Sequence, residues 1–416
     1  MSEPTRFSRR NLIRTSALLA AGGLIMDRRD GHAQSPSAPV DSTNVLGTLP
    51  SELGGRSAHE NIQREVGRFD PDGYSLTPLE KLSGIITPSD LHFERHHAGI
   101  PSIDPDRYEL LVHGWVDRPL KFSLHDLKRF PSVSRICFIE CSGNGYLSSF
   151  DAPDIPEEIT PGQLDGLVST SEWTGVLLST LLNEAGARRS ATWFLAEGQD
   201  AAVMTRSIPM AKAWDDAMVV YAQNAEPLRP AQGYPVRLLL PGWEGNTSVK
   251  WLRRIEVGDA PFMTREETSK YSDARSDGTV ELFTFSMGPK SLITSPSFPS
   301  VLPGSGWYEI SGLAWSGHGA IDSVDISVDG GNTWQPAILH QPILSKCTTR
   351  FSFPWYWDGT PGLFMSRATD DQGTQQPAWP LAREGRGAAT YYHNNVIRPW
   401  RIDSDGRITF GLRSMA

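Results

Sequence analysis

The sequence predicts an α+β domain followed by an all-β sandwich, and three observations carry that expectation. At 416 residues the chain exceeds what a single hydrophobic core usually organises. From about residue 85 to about residue 285, short apolar runs alternate with a helix-periodic stretch, the texture of mixed α+β architecture. Beyond that, helical periodicity disappears and strand-like runs recur at short spacing with turn signals between them.

The elements follow in chain order. Arg9-Arg10 precedes an apolar pair, Leu12-Ile13, and a short run of small and apolar residues from Ala17 to Met26, and small residues at 31 and 33 suit a signal peptidase. Residues 1–33 are therefore expected to be a twin-arginine signal peptide that sends a folded protein to the periplasm. Residues 34–74, rich in Ser, Pro, Gly and charge at their start, read as an N-terminal arm or linker. The α+β domain is expected over 75–290. Within it, Tyr108 to Val116, Arg135 to Ile139 and Tyr234 to Leu240 have the composition of strands. Thr174 to Ala185 carries apolar residues at helical spacing and stops before Gly186. The β-sandwich, of immunoglobulin size, is expected over 291–416, with Pro296 to Gly306 as the junction. Its strands fall at Tyr308 to Ala314, Ser323 to Val328 and Phe364 to Ala368, with a tight turn at Asp329-Gly330-Gly331-Asn332.

Composition narrows the function classes. Hydrophobic residues make up 39% and charged residues 21%, as in soluble globular proteins, and no apolar run of spanning length follows residue 26. The net charge is −9; loss of residues 1–33 removes six arginines and three acids, which leaves −12. Such an acidic chain is a poor partner for nucleic acid or anionic membranes. Three cysteines, at 137, 141 and 347, leave at least one thiol unpaired for chemistry or a metal. There is no Cys-x-x-Cys-His, so no c-type haem is attached to this chain. Redox electrons would have to leave through a partner.

The segment richest in chemistry runs from Arg135 to Tyr146. A strand delivers Cys141 to its end, and Gly143 and Gly145 flank Asn144 in a loop that lets backbone approach a bulky ligand. Alone, a strand-end Cys is more often a small core residue. Cys137 and Cys141 on one strand lack the paired spacing of a zinc site, and His92, His96 and His97 are accompanied by no metalloprotease pattern.

The flanking blocks resolve that choice by resemblance. Cys141-Ser142-Gly143-Asn144 resembles the molybdenum-ligand loop of the sulfite oxidase family, and Arg95-His96-His97 with Pro101 to Tyr108 resembles that family's Arg-Asn-His motif and its following strand. Gly233 to Arg237, Pro241-Gly242 and Val249 to Leu252 resemble its most recognisable stretch, while Ser327 to Trp334 resembles the hairpin of its dimerisation domain. The resemblance spans roughly residues 75–410. It implies a molybdopterin-binding α+β domain followed by an immunoglobulin-like β-sandwich dimerisation domain, and hence a homodimer. Cys141 would be the thiolate to molybdenum, with the remaining sulfurs coming from the pterin dithiolene. His97, Arg237 and Lys250 would bind the pterin and its phosphate, with Ser142, Asp200 and Ser207 as further contacts. Cationic partners suit a buried phosphate, and Arg can grip it bidentately. Gln232 stands where many members carry a His. Arg95, Trp173 and Tyr271 would line the substrate pocket, and Arg95 would also reach the cofactor side.

One departure bears on substrate. Sulfite-oxidising members carry an Arg five residues beyond the metal Cys, and here that position is Tyr146. The twin-arginine start and the Cys-Ser-Gly-Asn-Gly loop resemble a group of exported relatives, the molybdenum subunits of sulfane dehydrogenases in the sulfur-oxidising (Sox) system. That likeness implies a sulfane sulfur held on a carrier protein as substrate, oxidised with oxygen from water, and a c-type cytochrome subunit as electron acceptor. Free sulfite as substrate, or a non-catalytic exported carrier of the same fold, are the competing expectations.

Overall fold

The computed structural model describes residues 46–69, 72–148, 156–378 and 392–415, so the expected signal peptide lies outside the described residues. The chain divides into two units, residues 1–60 and 61–416. Among the described residues, 46–60 form bends and turns only, and every helix and strand belongs to the second unit.

The second unit opens with a three-stranded antiparallel sheet of β1 (Glu65–Phe69), β2 (Asp72–Leu76) and β3 (Glu94–His96). The last third of the expected arm is therefore sheet. The paired strands place Tyr74 and Asp72 next to Arg95 and His96.

Two five-stranded sheets form the α+β part. One runs in the order β5 (Leu120–Ser123), β4 (Glu109–Gly114), β13 (Leu252–Gly258), β8 (Trp193–Gly198), β9 (Thr205–Pro209). Only the β4–β13 pair is parallel. The other runs β11 (Glu226–Pro227), β10 (Met218–Gln223), β7 (Val168–Leu177), β6 (Val133–Glu140), with β12 (Arg237–Leu239) also paired to β10. The helices are short: α1 (Leu124–Leu127), α2 (Pro161–Asp165), α3 (Leu178–Ala185), α4 (Met210–Asp215) and α5 (Arg265–Ser269). Helix α3 buries Leu178, Leu181, Leu182 and Ala185 and ends at Gly186 as its pattern predicts. Its expected first turn, from Thr174, is instead strand. Trp173 to Leu177 pairs with β10, and that ladder, absent from any local window, outweighs the helical spacing.

The hairpin β14 (Ser272–Ala274) and β15 (Val280–Leu282) leads into two facing antiparallel sheets. One contains β16 (Lys290–Ser295), β17 (Gly306–Trp315), β21 (Thr349–Trp357) and β20 (Ile338–His340). The second runs β19 (Gln335–Pro336), β18 (Ile321–Ser327), β22 (Gly362–Asp370), β23 (Trp400–Ile402), β24 (Ile408–Phe410). Because β16 pairs with β17, Pro296 to Gly306 is a loop inside the sandwich rather than the junction before it. The predicted turn at 329–332 is closed by the Asp329 carboxylate, which accepts from the Thr333 amide at 2.9 Å.

The two halves share a core. Phe138 of β6 is buried among Leu292, Ile293, Trp315 and Phe351 of the sandwich, together with Leu164 and Val168. At about 25 cal/mol per Å² of apolar surface removed from water, such a shared core couples the folding of both halves.

Candidate functional site

Strand β6 ends at Glu140, and the next residue is Cys141. Its amide donates to Leu167 O at 2.9 Å, and its carbonyl accepts from the Asn144 amide at 2.9 Å, so the chain turns sharply there. The Asn144 side chain locks the turn, donating to Glu140 Oε1 and accepting from the Leu167 amide, each at 2.9 Å. Gly145 has φ +81, and a Cβ there would collide with the Arg398 guanidinium and sit 2.7 Å from Asp165 Oδ1. Only glycine fits that close approach.

The sandwich half clasps this loop from behind. Lys290 Nζ and Trp315 Nε1 each donate to the Glu140 carboxylate at 2.7 Å, and Lys290 also reaches Asp165 at 3.3 Å. Arg398 pairs with Asp165 at 2.8 Å. The His393 amide donates to Ser142 O at 2.9 Å, and Asn394 Nδ2 to Gly145 O at 3.2 Å. None of these partners is marked by a local motif. A usable signal was a charge inside an apolar run: Glu140 between Ile139 and Cys141, Lys290 opening a buried strand, Arg398 between Ile397 and Pro399.

Cys141 opens into a cavity lined among others by Arg95, His97, Asp200, Arg237, Lys250 and Tyr271. The structure thus gathers those expected residues around one thiol. Burial raises the Cys141 thiol above its ordinary value, a cost that coordination to a cation would remove. Other lining residues, including His92, His96, Asn246, Ser248 and Trp251, were not singled out as ligands by sequence. Ser142 and Tyr146 line an adjoining outer cavity that shares Arg95, His97, Cys141 and Tyr271 with the inner one.

Two expected residues lie elsewhere. Trp173 is fully buried behind the inner cavity, its indole donating to Cys137 O at 3.3 Å and its ring 5.2 Å from the Arg237 guanidinium. It lines neither cavity, because its place on β7 turns it toward the core that holds Cys137 and Ile139. Ser207 is likewise buried; its hydroxyl accepts from the Phe262 amide at 2.9 Å, so it braces a loop rather than facing the cavity.

Two cations shape the inner cavity. Arg237 is 3% exposed and donates only to amide and backbone oxygens, Gln232 O at 3.1 Å and Ser248 O at 2.9 Å among them. Burial drives it down to about 9. Lys250 Nζ donates to Arg95 O and Ala231 O, each at 3.1 Å, and to His96 Nδ1 at 2.8 Å, and burial lowers it strongly. Among the described residues no carboxylate forms an ion pair with either. Two buried cations with no carboxylate in direct ion-pair contact among the described residues make a site for a dianion. His96 passes the interaction outward, its Nε2 donating to Glu94 Oε2 at 3.1 Å, and Arg64 bonds the other Glu94 oxygen.

That relay predicts an acid limb. Burial pushes the Glu94 carboxyl up, but His96 and Arg64 outweigh it and hold it at about 2, against an ordinary 4.5. A depressed carboxyl stabilises the fold fully above its unfolded value and loses that contribution as pH falls through the folded one. Denaturation midpoints of the wild type should therefore drop as pH falls from about 4.5 toward about 2 more steeply than those of Glu94→Gln. Parallel curves would refute the assignment.

On the substrate side, Tyr271 OH lies 3.3 Å from His97 Nε2, and His97 Nδ1 lies 3.9 Å from Asp72. Burial, then Arg95, push His97 down to about 4, so its ring is neutral at pH 7 and Nε2 accepts from the tyrosine. Tyr271 rests on Arg206, whose fully buried guanidinium is 4.9 Å from its ring and paired at 2.8 Å with both Glu244 and Glu267. Four tyrosines, 74, 146, 271 and 392, line the outer cavity. Tyr74 lies flat across Gly67, where a Cβ would overlap its ring, and its hydroxyl bonds Tyr146. Arg95, paired with Asp72 at 3.3 Å, is the one Lys or Arg among the described residues lining that cavity. No group of three His, Cys, Asp or Glu side chains gathers as a metal site among the described residues.

Comparison with known proteins agrees with this geometry. Residues 97–266 match the oxidoreductase molybdopterin binding domain, and residues 282–399 match the Mo-co oxidoreductase dimerisation domain. A chain of the sulfane dehydrogenase SoxCD from Paracoccus pantotrophus superposes with a TM-score of 0.84 and 39% identity, over 89% of this chain and 96% of that one. Mitochondrial sulfite oxidase of Mus musculus is 34% identical over 281 residues, 63% of this chain and 51% of that protein. An NADH nitrate reductase of Solanum lycopersicum is 30% identical over 322 residues, 68% of this chain and 34% of that protein. The chain thus spans about half the length of the sulfite oxidases it matches.

Proposed function

Because the chain belongs to the sulfite oxidase family of molybdenum-cofactor oxidoreductases, we propose that it oxidises sulfane sulfur carried on a protein partner and passes the electrons to a c-type cytochrome. The observation that carries this reading is the outer cavity: aromatic, ringed by four tyrosines, with Arg95 as its lone arginine or lysine among the described lining residues. A small free dianion such as sulfite gains most from clustered cations. A sulfur at the end of a flexible peptide gains from apolar and aromatic walls. The sulfane dehydrogenase named for the similar structure supports the same choice.

The inner cavity suits the family's cofactor. Arg237 and Lys250, which among the described residues form no ion pair with a carboxylate, offer the phosphate of a pterin its counter-charge, and Cys141 offers a soft thiolate to molybdenum. Bound there, the cofactor supplies two-electron redox chemistry and oxygen from water. Arg95 orients the anionic end of the substrate at the mouth. Tyr271 presents its hydroxyl to the reacting region, and neutral His97 accepts that hydroxyl's hydrogen bond at Nε2. Tyr74 and Tyr146 narrow the approach and exclude water.

The sequence carries no Cys-x-x-Cys-His haem-attachment motif, which supports an acceptor on a separate protein. The twin-arginine start supports a periplasmic site of action, and the match to a dimerisation domain supports a homodimer. The deciding experiment compares kcat/KM of the purified full chain, with a cytochrome c as acceptor, on carrier-bound sulfane and on free sulfite. Efficient turnover of sulfite alone would overturn the sulfane reading. Tyr146→Arg should raise kcat/KM for sulfite on the order of tenfold, the worth of one charged hydrogen bond. An unchanged value would remove the cavity argument.

A further inference from the structure

His92 lines the inner cavity together with Arg237 and Lys250. It is 1% exposed, and its Nε2 meets no hydrogen-bond partner among the described residues. A buried ring nitrogen left unpaired costs free energy that a ligand can recover. The other nitrogen is committed: Nδ1 lies 3.0 Å from Phe93 O, which can only accept, so Nδ1 carries the proton. Gln232 Nε2 donates to the same carbonyl at 2.8 Å and fixes it.

The ring is also aimed by packing. It stands edge-on to Trp173 with centroids 5.6 Å apart, while the Arg237 guanidinium lies 5.2 Å from the same indole. Trp173 therefore serves as one platform for two polar groups. We propose that His92 is a third anion-binding group of the inner cavity, donating from Nε2 to the phosphate of the bound cofactor beside Arg237 and Lys250. This rests on the molybdenum-pterin reading of that cavity.

Three cations act on the ring: Arg237 of β12, Lys250 just before β13, and Arg64 just before β1. Burial first, then these charges, push His92 down to about 3, so without an anion the ring is neutral and Nε2 holds a lone pair. A dianion beside Arg237 offsets these charges and gives Nε2 an acceptor. Nε2 then takes one proton from solvent and becomes a donor, with Nδ1 unchanged. Anion binding and proton uptake are thereby coupled.

The test uses the full chain, prepared without cofactor from a host unable to make the pterin, with inorganic phosphate as probe. Phosphate affinity is measured by calorimetry at pH 6 and pH 8 for wild type and His92→Phe. The ionisation of phosphate itself is common to both proteins, so the difference between them reports His92. The variant should bind about tenfold or more weakly at pH 6, and the gap should narrow at pH 8. Superimposable affinities at both values would overturn the assignment. Should His92→Phe fail to fold, His92→Gln keeps a neutral donor that cannot titrate; it should bind more weakly than wild type at pH 6, with the gap again narrowing at pH 8. Pterin released on denaturing protein from a cofactor-producing host gives the second readout. Wild type without pterin or molybdenum would sink the cofactor reading itself. Wild type and His92→Phe equally loaded would sink only the role of His92.

Discussion

Cys141→Ser should lower turnover by more than about 100-fold while the chain still folds, since even residues behind a metal's ligands typically cost 10–100-fold. The loop around residue 141 is held by backbone and neighbouring side chains, Cys141 N to Leu167 O, Asn144 to Glu140 and Leu167, none of which needs the sulfur. Serine fills nearly the same space, so the thermal midpoint should move little. What would be lost is the soft donor: a serine oxygen is a poor substitute for the thiolate that Cys141 would offer the metal. Metal analysis and steady-state rates on the same preparation check this. A variant that keeps wild-type rates would show that Cys141 is not a ligand, whatever its position in the cavity.

Lys290→Met should destabilise the chain by about 3–5 kcal/mol, the cost of stranding one member of a buried ion pair. Lys290 is 1% exposed at its side chain and Glu140 is 0%, and they meet at 2.7 Å. The Trp315 and Asn144 hydrogen bonds to Glu140 remain in the variant, but neither carries charge. The double variant Glu140→Gln, Lys290→Met should recover most of the loss, because a neutral amide no longer needs a cation. Chemical denaturation of the three proteins measures both effects. A single variant as stable as wild type would mean that the pair contributes nothing net.

Much of the site was legible because ordered blocks of sequence converge on one loop. Arg95, His97, Asp200, Arg237, Lys250 and Tyr271 come from five separate segments, yet all border the cavity that opens at Cys141. The misplaced pair shows where such reading stops. Trp173 and Ser207 sit on strands, where a one-residue change in facing moves a side chain from cavity to core, and facing depends on pairing rather than on the residue. The α3 boundary failed for the same reason, since Thr174 to Leu177 suits either period until β10, over forty residues on, pairs with it. The strands of the sandwich were readable from β-branched and aromatic runs. Its grip on the Cys141 loop was not, because ion pairs such as Arg398 with Asp165 join residues 233 apart and leave no local pattern.

The clasp on that loop also has a meaning in time. A ribosome makes Cys141 early and delivers Asn394, the partner of Gly145 O, 249 residues later. Until then the loop lacks its rear wall, with Glu140 waiting for Lys290 and Ser142 for the His393 amide. The loop is therefore completed by a segment made some 249 residues after it. A chain that stops before His393 would lack the contacts to Ser142 O and Gly145 O, and its Cys141 loop should be looser than that of the full chain.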